Sequence, residues 1–397
     1  MSLEDKLYPL LSLYDRLPQG ARNFIGAAYR RLPRRIRYGR AYSEFRELAE
    51  ASPSWSESDL HEYQLRELRR TLVNAGSYCP FYSRSFAKAG FRPDTMMSLD
   101  DLADCPSLTK QDIQQHFDDL TSAEIADAKK LYMTTGGSTG VPVGFHLQKG
   151  VSRPKEQAFL EANWRRAGYF DKARLALIRG HVTDSRFRGN IIAHDATRNW
   201  LMLSSYHLTD ERIPEYLEVL ENFQPDFLNI YPSAALQLAD YLQRHNQRWR
   251  TPLQGVLCGS EQLTLSQKRL LNSVFKCRVL RWYGHAERVV LAAEGTDSDL
   301  FYFWPHYGFV EFGKPDENGL QEVIGTTFHN MAMPLVRYRT GDFVRLANPE
   351  ARREYAWPAV EEIAGRRQEF LVTGSGRRIS LTAFNMHDAI FDGLYAV

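Results

Sequence analysis

The feature that most constrains the fold is an alternation of short apolar segments and amphipathic segments between residues 173 and 284. The apolar segments have the length of buried strands, and the amphipathic ones have helical spacing. Strands that alternate with helices predict parallel strands joined by crossover helices, and hence an α/β fold. The predicted strands are ARLALIRG, DFLNIY, LQGVLCG and RVLRWYG, and the helices between them are IPEYLEVLENF, PSAALQLADYLQRH and TLSQKRLLNSVF.

Three polar segments begin where these predicted strands stop. They are YPSAA from Tyr231, CGSEQ from Cys258 and YGHAER from Tyr283. Ligands of parallel sheets bind beyond the carboxyl ends of the strands. We therefore expect the three segments to converge on one edge of the sheet.

Segments of other kinds precede and follow this alternating unit in the sequence. Residues 1–55 are predicted to be a basic helical extension, with breaks near Pro18 and Pro33 because proline interrupts a helix. Residues 56–364 are predicted to form the core domain, which becomes β-rich and antiparallel after residue 300. Ser54 to Gly76 reads as a helix capped by Ser56 or Ser58.

Composition excludes several classes of protein. The 397 residues are 43% hydrophobic and carry a net charge of +2, which argues against general nucleic-acid binding. The cysteines Cys79, Cys105, Cys258 and Cys277 form no CxxC pair, so we expect buried free thiols rather than a zinc site. The sequence offers neither a good signal peptide nor an apolar run of about 18 residues. These features favour the cytoplasm.

One segment is strongly basic. No acidic residue occurs between Arg16 and Ser43. Such a segment fits a peripheral contact with an anionic membrane or an acidic protein. The alternative is a helix packed across the main domain, with its guanidinium groups paired to distant carboxylates. The arginines are Arg16, Arg22, Arg30, Arg31, Arg34, Arg35, Arg37 and Arg40, and Ile25, Tyr29, Leu32, Ile36 and Tyr38 lie among them.

A glycine-rich stretch, LYMTTGGSTGVPVGF, lies between two predicted strands of a hairpin. Its glycines allow positive φ and close approach of backbone N–H groups to a ligand, and its hydroxyls add donors. The spacing fits neither a Walker A loop nor GxGxxG, and Val143 stands where a cation might be expected. A phosphate-binding loop and an ordinary hairpin turn are both compatible with this stretch alone.

Two carboxylates follow predicted strands. Glu287 in WYGHAER is suited to bind Mg²⁺ that bridges phosphate oxygens, and the alternative is a surface glutamate. His285 in the same segment is a candidate donor or base. Asp342 in YRTGD is suited to bind ribose hydroxyls, and the alternative is a turn aspartate.

The order of these motifs carries more information than any one of them. TTGGSTGVP, GSE, YGHAE, MPLVRYRTGD and GRRQEF occur in the order typical of the adenylate-forming superfamily. The chain resembles its phenylacetate–CoA ligase branch, including the CapK-like proteins associated with capsule polysaccharide biosynthesis. MPLVRYRTGD and the segment FQPDFLNIYPSAALQLADYL are similar to segments of that branch.

The resemblance implies a role for each motif. Glu287 would hold Mg²⁺ and act in catalysis with Thr134 and Arg366, and Tyr283 would stack on the adenine. Asp342 would bind the ribose. The loop residues Thr135, Gly136, Gly137, Ser138, Thr139 and Gly140 would bind the phosphates of ATP, and Gly259, Ser260, Glu261, Gly284 and His285 would complete the nucleotide site.

Several positions depart from the family pattern. Val143 replaces a lysine of many members, Ala286 replaces a Ser or Thr, and Gln368 replaces a common hinge aspartate. Residues 365–397 would form the hinge and the start of a truncated C-terminal region. The resemblance therefore implies the large N-terminal domain of an adenylate-forming enzyme, without the small C-terminal domain and its lysine.

The function implied is activation of a carboxylic acid with ATP to an acyl-adenylate, followed by transfer to CoA or another acceptor such as a sugar, in polysaccharide or secondary-metabolite biosynthesis. The alternatives are a nucleotide-binding scaffold without turnover and a transferase that makes an amide or ester on a sugar. Candidates for the acyl pocket lie at the strand ends before the adenine motif. They are Tyr231, Pro232 and Ser233, with Arg179, His181 and Tyr206.

Overall fold

The computed structural model describes residues 13–14, 16–135, 142–180, 191–351, 353–366, 370–372 and 378–380. Within these ranges twelve strands form one sheet. A two-stranded hairpin, β1–β2, lies beside this sheet, and β15 pairs with β16. The strand order in the large sheet is β11-β12-β13-β14-β10-β9-β8-β7-β6-β3-β5-β4.

The strands are β1 Lys130–Thr134, β2 Gly144–Gln148, β3 Leu175–Arg179, β4 Ile192–Asp195, β5 Trp200–Ser204, β6 Phe227–Ile230, β7 Gly255–Gly259, β8 Arg278–Gly284, β9 Leu291–Glu294, β10 Phe301–Phe303, β11 Gly308–Phe312, β12 Gln321–Thr327, β13 Tyr338–Leu346, β14 Ala359–Gly365, β15 Phe370–Val372 and β16 Arg378–Ser380. The α-helices are α1 Gln19–Arg31, α2 Arg34–Tyr38, α3 Arg40–Ala51, α4 Glu57–Tyr78, α5 Pro80–Ala89, α6 Lys110–Gln115, α7 Phe117–Leu120, α8 Ser152–Arg165, α9 Ile213–Phe223, α10 Pro232–Arg244 and α11 Leu265–Phe275. Single turns of 3₁₀ helix occur at Ser52–Ser54, Pro93–Thr95, Asp100–Asp104, Asp127–Lys129 and Ser205–His207.

The predicted parallel unit is confirmed. Strands β3, β6, β7 and β8 are parallel neighbours, and α9, α10 and α11 precede β6, β7 and β8. The sequence reading missed β5, which pairs in parallel with β3, and the edge strand β4, which pairs antiparallel with β5. Both lie in a stretch where turn residues separate two very short apolar runs, so periodicity gave no strand signal.

The β-rich part continues the same sheet. Strand β8 has the parallel partner β7 on one side and the antiparallel partner β9 on the other. From β9 onward, β10, β14, β13, β12 and β11 are joined antiparallel. The change from parallel to antiparallel pairing therefore falls on β8, the strand that leads into the YGHAER segment.

Side chains of the parallel strands alternate between the two faces of the sheet, and both faces are buried. One face packs Ile178, Ile230 and Cys258 against α9, α10 and α11. The other face packs Leu177, Leu257 and their neighbours against Trp164 and Tyr169, at the end of α8 and just beyond it.

Helix starts follow the capping rules. Ser56 caps α4 in a capping box with Asp59, which confirms one of the two predicted caps. Thr109 with Asp112 caps α6 in the same way, and Thr264 with Gln267 caps α11. Pro18 and Pro33 stand immediately before α1 and α2, so the predicted breaks are confirmed.

Some arginines of the basic segment pack against the rest of the protein, and others are exposed on the surface. Arg34 forms an ion pair with the buried Glu161 of α8 and donates to the backbone oxygen of Asp171 at 2.7 Å. Arg37 is buried, and its guanidinium lies 5.1 Å from the ring centroid of Tyr38. Packing with distant carboxylates, one of the two expected arrangements, therefore accounts for part of this segment.

No helix in the described ranges is long and apolar enough to cross a membrane. All four cysteines are free thiols, and Cys79, Cys105 and Cys258 are buried. Burial raises the pKa of each of these three thiols to about 12, so they stay protonated at neutral pH.

A buried carboxylate joins the two halves of the sheet. Glu294 of β9 is fully buried, and its oxygens accept hydrogen bonds from Lys268 Nζ at 2.7 and 2.8 Å. It also accepts from Nε of Arg281 at 2.6 Å and from the backbone N–H of Arg281 at 2.9 Å. Asp299 supplies a second carboxylate to Lys268 at 2.5 Å. One side chain therefore binds α11, β8 and β9 together.

We expect Glu294→Ala to lower the free energy of unfolding by about 3–5 kcal/mol, because it leaves two buried cations without this carboxylate. Urea denaturation of the full chain measures this loss. The matched control is Asp240→Ala, which breaks an exposed ion pair with Arg244 and should cost less than about 1 kcal/mol. Equal losses in the two variants would contradict this role of Glu294.

Candidate active site

The YGHAER segment holds its glutamate inside the protein. Glu287 is 3% exposed, so the alternative of a surface glutamate is wrong. Its Oε1 accepts a hydrogen bond from the Tyr338 hydroxyl at 3.0 Å, and its Oε2 lies 3.4 Å from Nδ1 of His285. Tyr338 is the first residue of β13, so this contact joins the YGHAER loop to the YRTGD strand.

The carboxylate of Glu287 is ionised at neutral pH. Burial disfavours its charge, but contact with His285 and the positive charge of Arg366 outweigh burial and lower its pKa to about 2. In the described ranges no group of three or more His, Cys, Asp or Glu residues could hold a metal ion. A single ionised carboxylate still fits Mg²⁺, which takes one or two protein carboxylates and completes its octahedron with phosphate oxygens and water.

Asp342 lies in strand β13 and is mostly buried, so the interpretation as a turn aspartate is wrong. Its Oδ2 accepts a hydrogen bond from Tyr283 Oη at 2.7 Å, and its Oδ1 lies 3.3 Å from Nε of Arg366. The preceding Gly341 has φ of +76°, a conformation that glycine adopts without strain. Tyr283, Asp342 and Arg366 are therefore in contact, as their predicted roles around one nucleotide require.

The glycine-rich stretch is described only at its two ends. Strands β1 and β2 form the predicted antiparallel hairpin, and Thr134 pairs with Gly144 at its tip. Two hydrogen bonds join Thr135 to Val143 across the hairpin. The N–H of Thr135 donates to Val143 O, and the hydroxyl of Thr135 accepts from the N–H of Val143, both at 2.9 Å. The predicted phosphate-binding residues Gly136, Gly137, Ser138, Thr139 and Gly140 lie outside the described residues.

The structure explains why position 143 carries valine rather than lysine. Its side chain is fully buried in the core beneath the hairpin, next to Phe145 and Leu147. A lysine here would carry its charge into an apolar core, which is costly without a partner. Val143 therefore anchors the hairpin.

A cation that the sequence analysis missed lies on α6. Lys110 is the first residue of this helix and interacts electrostatically with both Arg366 and Glu287. Burial, and then the charge of Arg366, lower the pKa of Lys110. The capping box of Thr109 and Asp112 fixes where Lys110 stands, but its approach to Glu287 depends on long-range packing.

The strand ends also converge in the parallel half. Arg179, at the end of β3, donates through Nε to Asn229 Oδ1 at 2.7 Å and through Nη1 to Ser260 Oγ at 3.0 Å. Its guanidinium lies 4.8 Å from the ring centroid of Tyr231 and 5.6 Å from that of Trp282. Tyr231 of YPSAA and Ser260 of CGSEQ therefore meet at this edge, as expected, and the third neighbour of Arg179, Trp282, lies in β8 immediately before YGHAER.

Glu261 and Ser233 are bound to each other. Glu261 accepts from Ser233 N–H at 2.8 Å and from Ser233 Oγ at 3.0 Å. Ser233 lies in the first turn of α10, which begins at Pro232, so the carboxylate also meets the positive end of the helix dipole. Burial nevertheless raises the pKa of Glu261. The sequence assigned these residues to separate subsites, whereas the structure places them in contact.

Other predicted positions are distributed around this edge. Gly259 ends β7 and Gly284 ends β8, while Ala286 is exposed on the loop beyond. Tyr206 follows β5, and its hydroxyl lies so close to Gly180 that a Cβ there would overlap it. His181 and Gln368 lie outside the described residues.

No protein-family model matches the chain. The phenylacetate–coenzyme A ligase of Escherichia coli (strain K12) is 26% identical over 330 residues, which are 80% of this chain and 73% of that protein. Protein CapK of Staphylococcus aureus is 26% identical over 337 residues, or 83% of this chain and 72% of that protein. A crystal structure of 2-hydroxyisobutyryl-CoA ligase in the postadenylation state, in complex with R3-HIB-AMP, has the same fold. It superposes with a TM-score of 0.63 at 17% identity, covering 83% of this chain and 72% of that chain.

The motifs, their order in the chain and these comparisons agree. The chain is similar in sequence to phenylacetate–coenzyme A ligases and CapK, and it shares the fold of 2-hydroxyisobutyryl-CoA ligase.

Proposed function

We propose that this protein uses ATP to activate a carboxylic acid as an acyl-adenylate. The observation that carries the proposal is the contact of Tyr283, Asp342 and Arg366 beside the ionised Glu287. These groups supply an aromatic face, an acceptor for hydroxyls, a cation and a metal-binding carboxylate at the carboxyl edge of one sheet. The curated relatives named as CoA ligases support the same reaction.

The reaction requires positioning and charge neutralisation more than acid–base chemistry. An oxygen of the substrate carboxylate attacks the α-phosphorus of ATP. A P–O bond forms, the bond to the β-phosphate oxygen breaks, and pyrophosphate leaves with the electron pair. Because the substrate is itself the nucleophile, the site needs no activated serine or cysteine.

Each residue has a defined part in this proposal. Asp342 accepts hydrogen bonds from the ribose hydroxyls, and the ring of Tyr283 packs on the adenine. Arg366 and Lys110, which both interact electrostatically with Glu287, would stabilise negative charge on the phosphates. Glu287 would hold Mg²⁺, and the ion when bound would supply charge neutralisation for the phosphates. Thr134 and the loop that follows it contact the β- and γ-phosphates.

Coenzyme A is the acceptor that we propose for the acyl group, since it is named in four of the relatives. A sugar acceptor is the alternative implied by the motifs of the CapK-like proteins. The free cysteines and the use of ATP favour a cytoplasmic location.

The direct test incubates the full chain with ATP, Mg²⁺ and a panel of aliphatic, aromatic and dicarboxylic acids. We expect pyrophosphate release with the cognate acid, and acyl-AMP detected by mass spectrometry in the same samples. ATP binding is measured in parallel by calorimetry. ATP binding without pyrophosphate release across the panel would contradict the enzyme and favour a nucleotide-binding scaffold.

We expect Glu287→Gln to lower the rate of acyl-AMP formation by at least about 100-fold, since changes even to second-shell partners of a metal ligand cost about 10–100-fold. Tyr338→Phe removes only the hydroxyl that donates to Glu287, so it should lose about 10–100-fold. The measurement is single-turnover formation of acyl-AMP at several Mg²⁺ concentrations. Glu317→Gln, at an exposed position, is the matched control and should keep the wild-type rate. Wild-type Mg²⁺ dependence in Glu287→Gln would exclude Glu287 as the ligand.

A second role, contact with an anionic membrane, is favoured by the N-terminal helices. Phe24 is 77% exposed on α1, and Ile36 is 51% exposed on α2. Arg31 and Arg35 are exposed along the same segment, which contains no acid from residue 16 to residue 43. Exposed apolar side chains among arginines fit the interface of an anionic bilayer.

We expect the protein to co-sediment with phosphatidylcholine vesicles that contain phosphatidylserine, and less at high salt. Replacing both Arg31 and Arg35 by Gln should weaken binding about 30-fold, at about 1 kcal/mol per arginine. Arg84→Gln with Arg92→Gln, at exposed positions elsewhere, is the matched control. Equal binding to neutral and anionic vesicles, or no binding to either, would exclude this role.

A further inference from the structure

The carboxyl edge of the parallel strands holds a polar layer on one face of the sheet. Leu177, Leu257 and Leu280 are level with one another on this face, with Asn229 of β6 between Leu177 and Leu257. Because strand side chains alternate, the next residue toward the carboxyl end on the same face lies two positions later. Those residues are Arg179, Gly259 and Trp282 in β3, β7 and β8.

The guanidinium of Arg179 is held in one place. Nε and Nη1 are bound by Asn229 and Ser260, and the guanidinium lies 4.8 Å from the ring centroid of Tyr231 and 5.6 Å from that of Trp282. Nη2 is buried, and among the residues that the structure describes it makes no hydrogen bond of ordinary geometry, although the Tyr231 hydroxyl interacts with the guanidinium. Buried donors in native proteins are almost always paired, so an unpaired guanidinium N–H calls for a ligand.

A second donor lies beside it. Nε1 of Trp282 is also buried, and it has no hydrogen-bond partner within the described ranges of the chain. The Trp282 ring lies against Gly259, where a Cβ would overlap it. Because glycine has no side chain, position 259 leaves room for the indole of Trp282 against β7. Two unpaired N–H donors, one of them charged, thus occur on the same face of the sheet among aromatic side chains.

This donor pair lies on the opposite side of β8 from the proposed nucleotide residues. Trp282 and Tyr283 are consecutive in the strand, so their side chains point to opposite faces. Tyr283 reaches Asp342, whereas Trp282 reaches Arg179. An anion bound by Arg179 is therefore a different group from the carboxylate that reacts near Glu287.

We propose that the substrate acid carries a second anionic group, such as a distal carboxylate, that binds Nη2 of Arg179 and Nε1 of Trp282. This inference rests on the proposed function, because it names the substrate class of the same reaction. Arginine suits the role since it stays charged and offers planar donors to a carboxylate. The aromatic rings limit access of water to the ion pair and so strengthen it.

The test compares each dicarboxylic acid with its monoamide, which has nearly the same shape and lacks the second charge. The pairs are built on succinate, glutarate, adipate and terephthalate, and the readout is kcat/KM for acyl-AMP formation. For at least one pair we expect a preference for the diacid of at least about 100-fold, since sites built around a polar group strongly reject analogues that lack it. In Arg179→Gln that ratio should fall towards 1, and Arg179→Lys should keep part of it.

Two further variants keep the test decisive if Arg179→Gln does not fold. Ser260 has φ of +72°, so Ser260→Gly removes the hydroxyl that holds Nη1 without adding backbone strain. Trp282→Phe removes the indole N–H. Each should lower the ratio several-fold. The matched control is Arg244→Gln on the outer surface of α10, which should leave the ratio unchanged.

The outcomes separate this inference from the proposed function. If no acid in the panel yields acyl-AMP, the proposed function fails, and calorimetric binding of the diacids and monoamides to wild type and Arg179→Gln still tests the subsite. If acyl-AMP forms but wild type prefers monoamides or neutral acids, the second anionic group is excluded and the proposed function stands. An unchanged diacid preference in Arg179→Gln would exclude Arg179 as its determinant.

Discussion

The buried carboxylate of Glu294 is the contact on which the geometry of the site depends. It binds Lys268 of α11 and Arg281 of β8, and it lies on β9, the antiparallel partner of β8, at which the sheet changes from parallel to antiparallel pairing. Burying these charges is costly, and the cost is offset only because hydrogen bonds satisfy both oxygens of the carboxylate. These contacts fix the position of β8. This strand contains Trp282 and Tyr283 and leads into the loop of Glu287.

Strand β8 then connects two different environments. Its alternation places Trp282 toward Arg179 and Tyr283 toward Asp342, so one strand end contributes to both proposed subsites. The parallel neighbours of β8 supply the polar layer that would hold the acid. The antiparallel strand β13 supplies Tyr338 and Asp342, which would hold the metal ligand and the ribose. A mixed sheet therefore brings together groups that a purely parallel sheet would not place side by side.

The sequence predicted what depends on local pattern and on motif order. The alternation predicted β3, β6, β7 and β8 and the convergence of their ends, and the motif order predicted the superfamily. It did not predict contacts made between distant segments. The pairing of Glu261 with Ser233, the approach of Lys110 to Glu287 and the burial of Val143 all depend on how separate elements pack. The short strands β4 and β5 were missed because β5 pairs with β3 only through tertiary structure.

The burial of Val143 and the position of Lys110 together explain how a glycine-rich loop can serve phosphates without its own lysine. A cation at position 143 would lie in the apolar core, whereas Lys110 and Arg366 approach Glu287 from α6 and from the end of β14. Burial, and then the charge of Arg366, lower the pKa of Lys110, so part of this shift reflects repulsion between the two cations. A polyphosphate bound near Glu287 would relieve this repulsion and stabilise both charges, so the cation pair is an electrostatic reason for ATP to bind at this edge.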